Sequence, residues 1–128
     1  MTEAELKQRT KTFALRVLKL VSALPETKAG LVLARQLGRS GPSVGANYRA
    51  ACRARSTADM ISKLSIVEEE ADESAFWMEL IMELELMPQD KVAALHTEAG
   101  ELTAIMVASR KTLQARDRKS KVENRKSP

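Results

Sequence analysis

Residues 38–56 read GRSGPSVGANYRAACRARS, with three glycines and a proline set beside the densest arginine cluster of the chain. Glycine and proline are the poorest helix formers, roughly 1 and 3 kcal/mol worse than alanine in a helix interior. By propensity alone the stretch reads as a loop. Its spacing reads as a helix. Leu33, Leu37, Val44 and Ala51 form one stripe at helical intervals, continued by Ser40 and Asn47. Arg35, Arg39, Arg49 and Arg53 form a second stripe, with Pro42 and Ala46 filling the intervening turns. Gly38, Gly41 and Gly45 form a third that leads on to Tyr48 and Cys52. All three run unbroken through the stretch, so it is predicted to be helical, with the glycines as a seam where a second helix approaches closely. Pro42 is expected to kink the helix or restart it, with Ser40 able to cap the freed amides.

Upstream, Phe13, Val17, Leu20 and Leu24 alternate spacings of four and three, an apolar stripe that Leu24-Pro25-Glu26-Thr27 ends. The residue before a proline resists helix, and Thr27 is placed to cap the next one. Downstream, Ser56-Thr57-Ala58-Asp59 has the form of a variant capping box. The helix it opens carries one stripe of Met60, Leu64, Val67, Ala71, Met78 and Ile81 and another of Ile66, Trp77, Leu80, Leu84 and Met87. Two stripes exceed the apolar arc of a helix with one buried face, so this helix is either central or covered by another subunit. After Met87-Pro88-Gln89-Asp90, the residues Val92, Leu95, Ala99, Leu102, Ile105 (or Met106) and Leu113 mark a fourth. The expected helices are about 4–23, 28–55, 57–87 and 89–113. Short turns force consecutive helices to run antiparallel, so the predicted fold is all-α, an up-down-up-down four-helix bundle.

A chain of 128 residues suits one domain, and aromatic residues at 3% with abundant Ala, Leu, Glu, Lys and Arg favour helices over strands. No apolar run is long enough to span a bilayer, and MTEAELKQRT has no signal-peptide core. The single cysteine has no internal disulfide partner, which fits a reducing cytoplasm. The net charge is +4, and residues 114–128, with six Lys/Arg and two Asp/Glu, carry all of it. Residues 1–115 are therefore expected to form the bundle and 116–128 a basic, disordered tail.

Catalytic signals are poor. His96 has Val92 and Gly100 at the neighbouring helical positions, so no second ligand faces it. Cys52 sits among small residues and reads as a buried thiol. The acidic run Glu68-Glu69-Glu70 with Asp72 and Glu73 lacks the Glu-x-x-His pairs of a di-metal bundle site. No phosphate-binding glycine motif is present. The expectation is no catalytic site, no metal and no cofactor.

Charge is more informative. Lys28 to Ser56 holds six cations and no acid, whereas Thr57 to Met87 holds nine acids against Lys63. The plainer account is salt bridging within or between subunits. The functional account is that Arg35, Arg39, Arg49, Arg53 and Arg55, with Arg116, Arg118 and Lys119 of the tail, contact the phosphates of RNA or DNA. Glu70 and Glu73 lie in the second apolar stripe of the third helix, and polar groups there need partners. Arg39, Ser40 or Asn47 is expected to meet Glu70 or Glu73 in a buried network that fixes register.

The string RSGPSVGANYRAACRARSTADMISKLSIVEEEADESAFWMELI, flanked by FALRVLKLVSALP and ELTAIMVASRKT, resembles the bacterial four-helix-bundle proteins named for the 23S rRNA intervening sequence. Arg39-Ser40, Ser43-Val44, Ala46-Asn47, the Ser56 to Asp59 cap, Glu73 and Trp77 carry the likeness. Ala50 and Met60 depart from it, standing where such proteins usually have Glu and Phe. Related accessory proteins of diversity-generating retroelements form homopentameric barrels thought to bind nucleic acid and a reverse transcriptase. The resemblance therefore implies a homo-oligomeric ring of five subunits, with nucleic acid and such an enzyme as expected partners. A protein–protein scaffold whose charges serve assembly is the competing expectation.

Overall fold

Thr2 opens the first helix, α1 (Glu3–Ala23), with a reciprocal capping box. Its hydroxyl accepts from the Glu5 amide at 3.1 Å, and the Glu5 carboxylate accepts from the Thr2 amide at 3.2 Å. Thr27 caps α2 (Lys28–Cys52) by accepting from the Gly30 amide at 3.0 Å, and Ser56 caps α3 (Thr57–Glu83) by accepting from the Asp59 amide at 3.0 Å. Asp59 accepts from the Arg55 amide at 3.3 Å, one residue before the cap, so the box expected at Ser56 closes on a neighbouring amide. A single 3-10 turn (Gln89–Lys91) leads into α4 (Ala93–Lys126). This computed structural model describes residues 1–126.

The four helices pack in sequence as an antiparallel up-down bundle, with α1–α2, α2–α3 and α3–α4 closely packed and α1–α4 the sparsest contact. The core follows the stripes. Phe13, Val17 and Leu20 of α1 meet Leu37 and Val44 of α2, Leu64, Val67, Met78 and Ile81 of α3, and Val92, Leu102 and Met106 of α4 in one buried cluster. Met106 takes the core position and Ile105 is half-buried, which resolves the alternative left by spacing.

Four boundaries differ from the sequence reading. Helix α2 stops at Cys52 and not at 55, with Arg53 as its cap. Helix α3 stops at Glu83 and not at 87, because Glu85 takes a positive φ of 54° that turns the chain out of the helix. Helix α4 starts at Ala93 and not at 89, because Gln89–Lys91 forms the tighter turn first. Residues from 116 onward, expected as coil, continue α4 to Lys126. Polarity removes a buried face but not helix propensity. Arg, Lys and Glu extend a helix already nucleated by packing, aided by a Lys121–Asp117 pair at 3.1 Å one turn apart. The rest of that tail, Ser127 and Pro128, lies outside the described residues.

Helix α2 passes through Pro42 without restarting. Proline cannot donate to the carbonyl four residues back, here that of Gly38. Ser43 steadies the adjoining turn by donating its hydroxyl to the Arg39 carbonyl at 2.7 Å. Ser40 does not cap freed amides. It is fully buried and shares a hydrogen bond of 2.8 Å with the Ser74 hydroxyl of α3.

The glycine stripe is the seam between α1 and α2. A Cβ on Gly41 would stand 2.5 Å from Cγ1 of buried Val17, and one on Gly45 would stand 3.3 Å from the Thr10 carbonyl oxygen. Thr10 clears that surface by turning its own hydroxyl back onto the Leu6 carbonyl at 2.9 Å. Val17 is branched at Cβ and has no free rotamer to escape into, so α1 as a whole must move to admit a methyl group at 41. Gly41→Ala is expected to lower stability by about 1–3 kcal/mol. Gly100→Ala, where a Cβ would meet nothing within 4 Å, is expected to raise it by about 0.5–1 kcal/mol. Urea unfolding midpoints of the two variants check this directly.

Candidate nucleic-acid interface

The face of α2 that points away from the core carries Arg35, Arg39 and Arg49, followed by Arg53 at its cap, all exposed. Their positions follow from the helix continuing through Pro42, since a restart there would have rotated the two halves apart. The four do not share one environment. Arg39 reaches across to α3, where Nη2 donates to Glu73 Oε1 at 2.8 Å and Nη1 lies 3.8 Å from Glu70 Oε1. Trp77 donates its indole N–H to the same Glu73 oxygen at 3.3 Å. Arg35, Arg49 and Arg53 form no ion pair among the described residues, and neither does the guanidinium of Arg55, which lies near Asp59.

The expected buried network is thus only partly assembled. Arg39, Glu70 and Glu73 come together at the outer edge of the α2–α3 contact. Ser40 bonds Ser74, and Asn47 donates to the Ser43 carbonyl of its own helix at 2.8 Å. Ser74 was legible: it falls between Ala71 and Met78 in the first apolar stripe of α3, where a hydroxyl needs a partner. Ser74 itself also donates back to the Glu70 carbonyl at 2.8 Å.

The acids of α3 divide between two neighbours. Glu68 accepts from Arg110 of α4 at 2.8 and 3.4 Å, and Glu79 lies 3.0 Å from His96 Nε2. Across the sparse α1–α4 contact, Arg9 clamps Glu98 at 2.8 and 2.6 Å and reaches Glu101 at 2.7 Å. Neither Arg9 nor Arg110 was legible in the sequence, because pairs 89 and 42 residues apart leave no mark on local spacing. Of the six cations between Lys28 and Arg55, only Arg39 forms an ion pair among the described residues. Arg116, Arg118 and Lys119 are exposed on the last turns of α4.

Cys52 is half-buried, and its thiol is pushed up to about 11, first by burial and then by Glu3. A thiol so placed stays protonated at neutral pH and is a poor nucleophile. Among the described residues no three His, Cys, Asp or Glu side chains are grouped to hold a metal ion, and no helix is long and apolar enough to cross a membrane.

Fold and surface together define a helical bundle with an arginine-rich outer face. The family model described as 23S rRNA-intervening sequence protein matches residues 2–108, and the chain belongs to that family. A crystal structure of a protein of unknown function from the S23 ribosomal protein family of Bacteroides thetaiotaomicron superposes with a TM-score of 0.80 at 32% identity. The match covers 87% of this chain and 99% of that one. A search of curated proteins finds no match.

Two carboxylates in this framework have opposite pH signatures. Burial, then the neighbouring Glu73 charge, raise Glu70 above the usual carboxylate range, against the pull of Arg39, and its Oε2 is buried with no hydrogen bond among the described residues. Its contribution is therefore fully present below the unfolded-state value and lost as pH rises through the higher folded one. Hydrogen bonding from Arg9 holds Glu98 below that range, so its contribution is present at neutral pH and lost as pH falls through the lowered value. Glu70→Gln is expected to raise the melting temperature at pH 7 by roughly 2–4 °C, with the gain vanishing in acid. Glu98→Gln is expected to cost about 1–2 kcal/mol at pH 7, with the cost fading in acid. Thermal melts of both variants from pH 3 to 7 check the two signs.

Proposed function

We propose that this protein is a non-enzymatic, homo-oligomeric helical bundle that binds nucleic acid through the outer arginines of α2 and the basic end of α4. The observation that carries the reading is the set of exposed guanidinium groups left without acids. Salt bridging inside the subunit, the plainer account of the charge pattern, engages Arg39 and leaves Arg35, Arg49 and Arg53 free among the described residues. Unpaired guanidinium groups along one helix face repel one another unless phosphates or another subunit's acids neutralise them. Arg39 therefore leaves the contact set, because its fork is committed to Glu73.

Assembly is supported by the second apolar stripe of α3. Ile66 and Leu84 remain 40% and 56% exposed, and neighbouring Phe76 is 51% exposed and packs edge-on against Trp77. Exposed apolar side chains repeated along one helix are the kind of surface another subunit can cover. By resemblance to retroelement accessory proteins, the assembly is a ring of five, with a reverse transcriptase as the protein partner. The same exposed stripe favours the second reading, a protein–protein scaffold whose charges serve assembly alone.

Binding through phosphates weakens steeply with salt, by about a thousandfold or more between 50 and 200 mM for ~6 contacts. Fluorescence anisotropy with labelled RNA and DNA is expected to show that dependence, and Arg35→Gln/Arg49→Gln/Arg53→Gln is expected to weaken binding at least tenfold. Salt-independent binding, or a triple variant that binds as the parent does, would favour the scaffold. Light scattering gives the subunit number, with five expected.

A further inference from the structure

Between α1 and α2, on the half of the bundle remote from the Leu24–Thr27 turn, lies a groove of about 440 Å³. Lys7 and Lys11 of α1 stand on one side and Arg49 of α2 on the other, and no carboxylate lines it. All three cations are exposed, and none forms an ion pair among the described residues. Ala14, Pro42, Gly45 and Ala46 supply a shallow, small-residue floor. The floor is a consequence of the glycine seam: with no Cβ at 45, α2 lies against the Thr10 backbone and leaves an open channel above the contact. Lys7 and Lys11 are one helical turn apart, a rise of about 6 Å, comparable to the separation of successive phosphates along a strand.

We propose that this groove seats the sugar–phosphate backbone of a nucleic-acid strand, with Lys7, Lys11 and Arg49 each meeting a phosphate. The proposal rests on the nucleic-acid reading above and adds to it a place and two α1 residues. A backbone suits the groove better than an acidic amphipathic helix does. No large apolar side chain lines it, so it offers no pocket for a helix's Leu or Phe anchors. No aromatic ring lines it either, so bases find no stacking platform there and face outward.

The test uses the full chain and a fluorescein-labelled 20-nucleotide RNA, with a single-stranded and a duplex DNA of the same sequence as further arms. Lys7→Gln/Lys11→Gln is expected to raise Kd about tenfold or more at 50 mM KCl and to lower the slope of log K against log salt by about two. Ala46→Glu, which puts a carboxylate into the channel from an exposed position, is expected to weaken binding at least as much. Both variants should keep the parent's melting temperature and particle mass. If both bind like the parent while the Arg35/Arg49/Arg53 variant does not, the groove is not the seat, although the protein still binds nucleic acid. If the parent binds none of the probes at 50 mM KCl, the nucleic-acid reading fails and the groove proposal falls with it. If Lys7→Gln/Lys11→Gln lowers the particle mass, the groove seats the acidic face of another subunit, and the proposal is overturned.

Discussion

The closeness of α1 and α2 is the constraint on which the remaining surface depends. Where the two helices cross, Gly41 stands against Val17 and Gly45 against the Thr10 backbone, with no room for a side chain on α2. Glycines in a helix interior cost intrinsic stability, and here that cost is offset by packing two backbones side by side. Close packing on one flank of α2 sets the rotation of the whole helix. Ser40 and Val44 then point inward, Arg39 lies along the α3 edge, and Arg49 lies along the α1 edge. The fate of each arginine is decided by which flank it occupies.

This arrangement divides the charge of the molecule by role. Arg9, Arg39 and Arg110 each tie one helix to another through carboxylates of Glu98 and Glu101, Glu70 and Glu73, and Glu68 respectively. Such pairs near a surface add little net energy, but they penalise wrong registers, because a slipped helix leaves charges unmatched. Glu70 shows how tight the balance is, since one of its oxygens is buried beside the Arg39–Glu73 pair with no hydrogen bond among the described residues. Lys7 and Lys11 of α1, Arg35 and Arg49 of α2 and Arg116, Arg118 and Lys119 of α4 stand outside these ties and form no ion pair among the described residues.

Periodicity carried most of the fold, and it failed where backbone conformation or distance decides. The stripes of α1, α2 and α4 and the first stripe of α3 supply the core as spacing placed them, because burial repeats with the helical period, whereas the second stripe of α3 leaves Ile66 and Leu84 exposed. Helix α3 ends early at the left-handed turn of Glu85, although Leu84 and Met87 keep the stripe going. The α4 extension inverts that error, being helical without any stripe to announce it. At the candidate interface, the arginines of α2 were legible as a row, and Glu73 as a polar group out of place. Lys7 and Lys11 were not, because nothing in α1 alone says which of its lysines borders α2.

Taken by itself, the sequence determined that there are four helices and roughly where they lie, which faces are apolar, that consecutive helices run antiparallel, and that cations and acids are segregated between α2 and α3. Each of these is local, written within one or two helical turns. Tertiary structure alone decided which arginines are tied and which are free, that Ser40 seeks Ser74, and that the glycine seam opens a basic channel between α1 and α2. These depend on the rotation and approach of neighbouring helices, which steric contacts such as Gly41 against Val17 set across 24 residues of chain, beyond the reach of any local pattern.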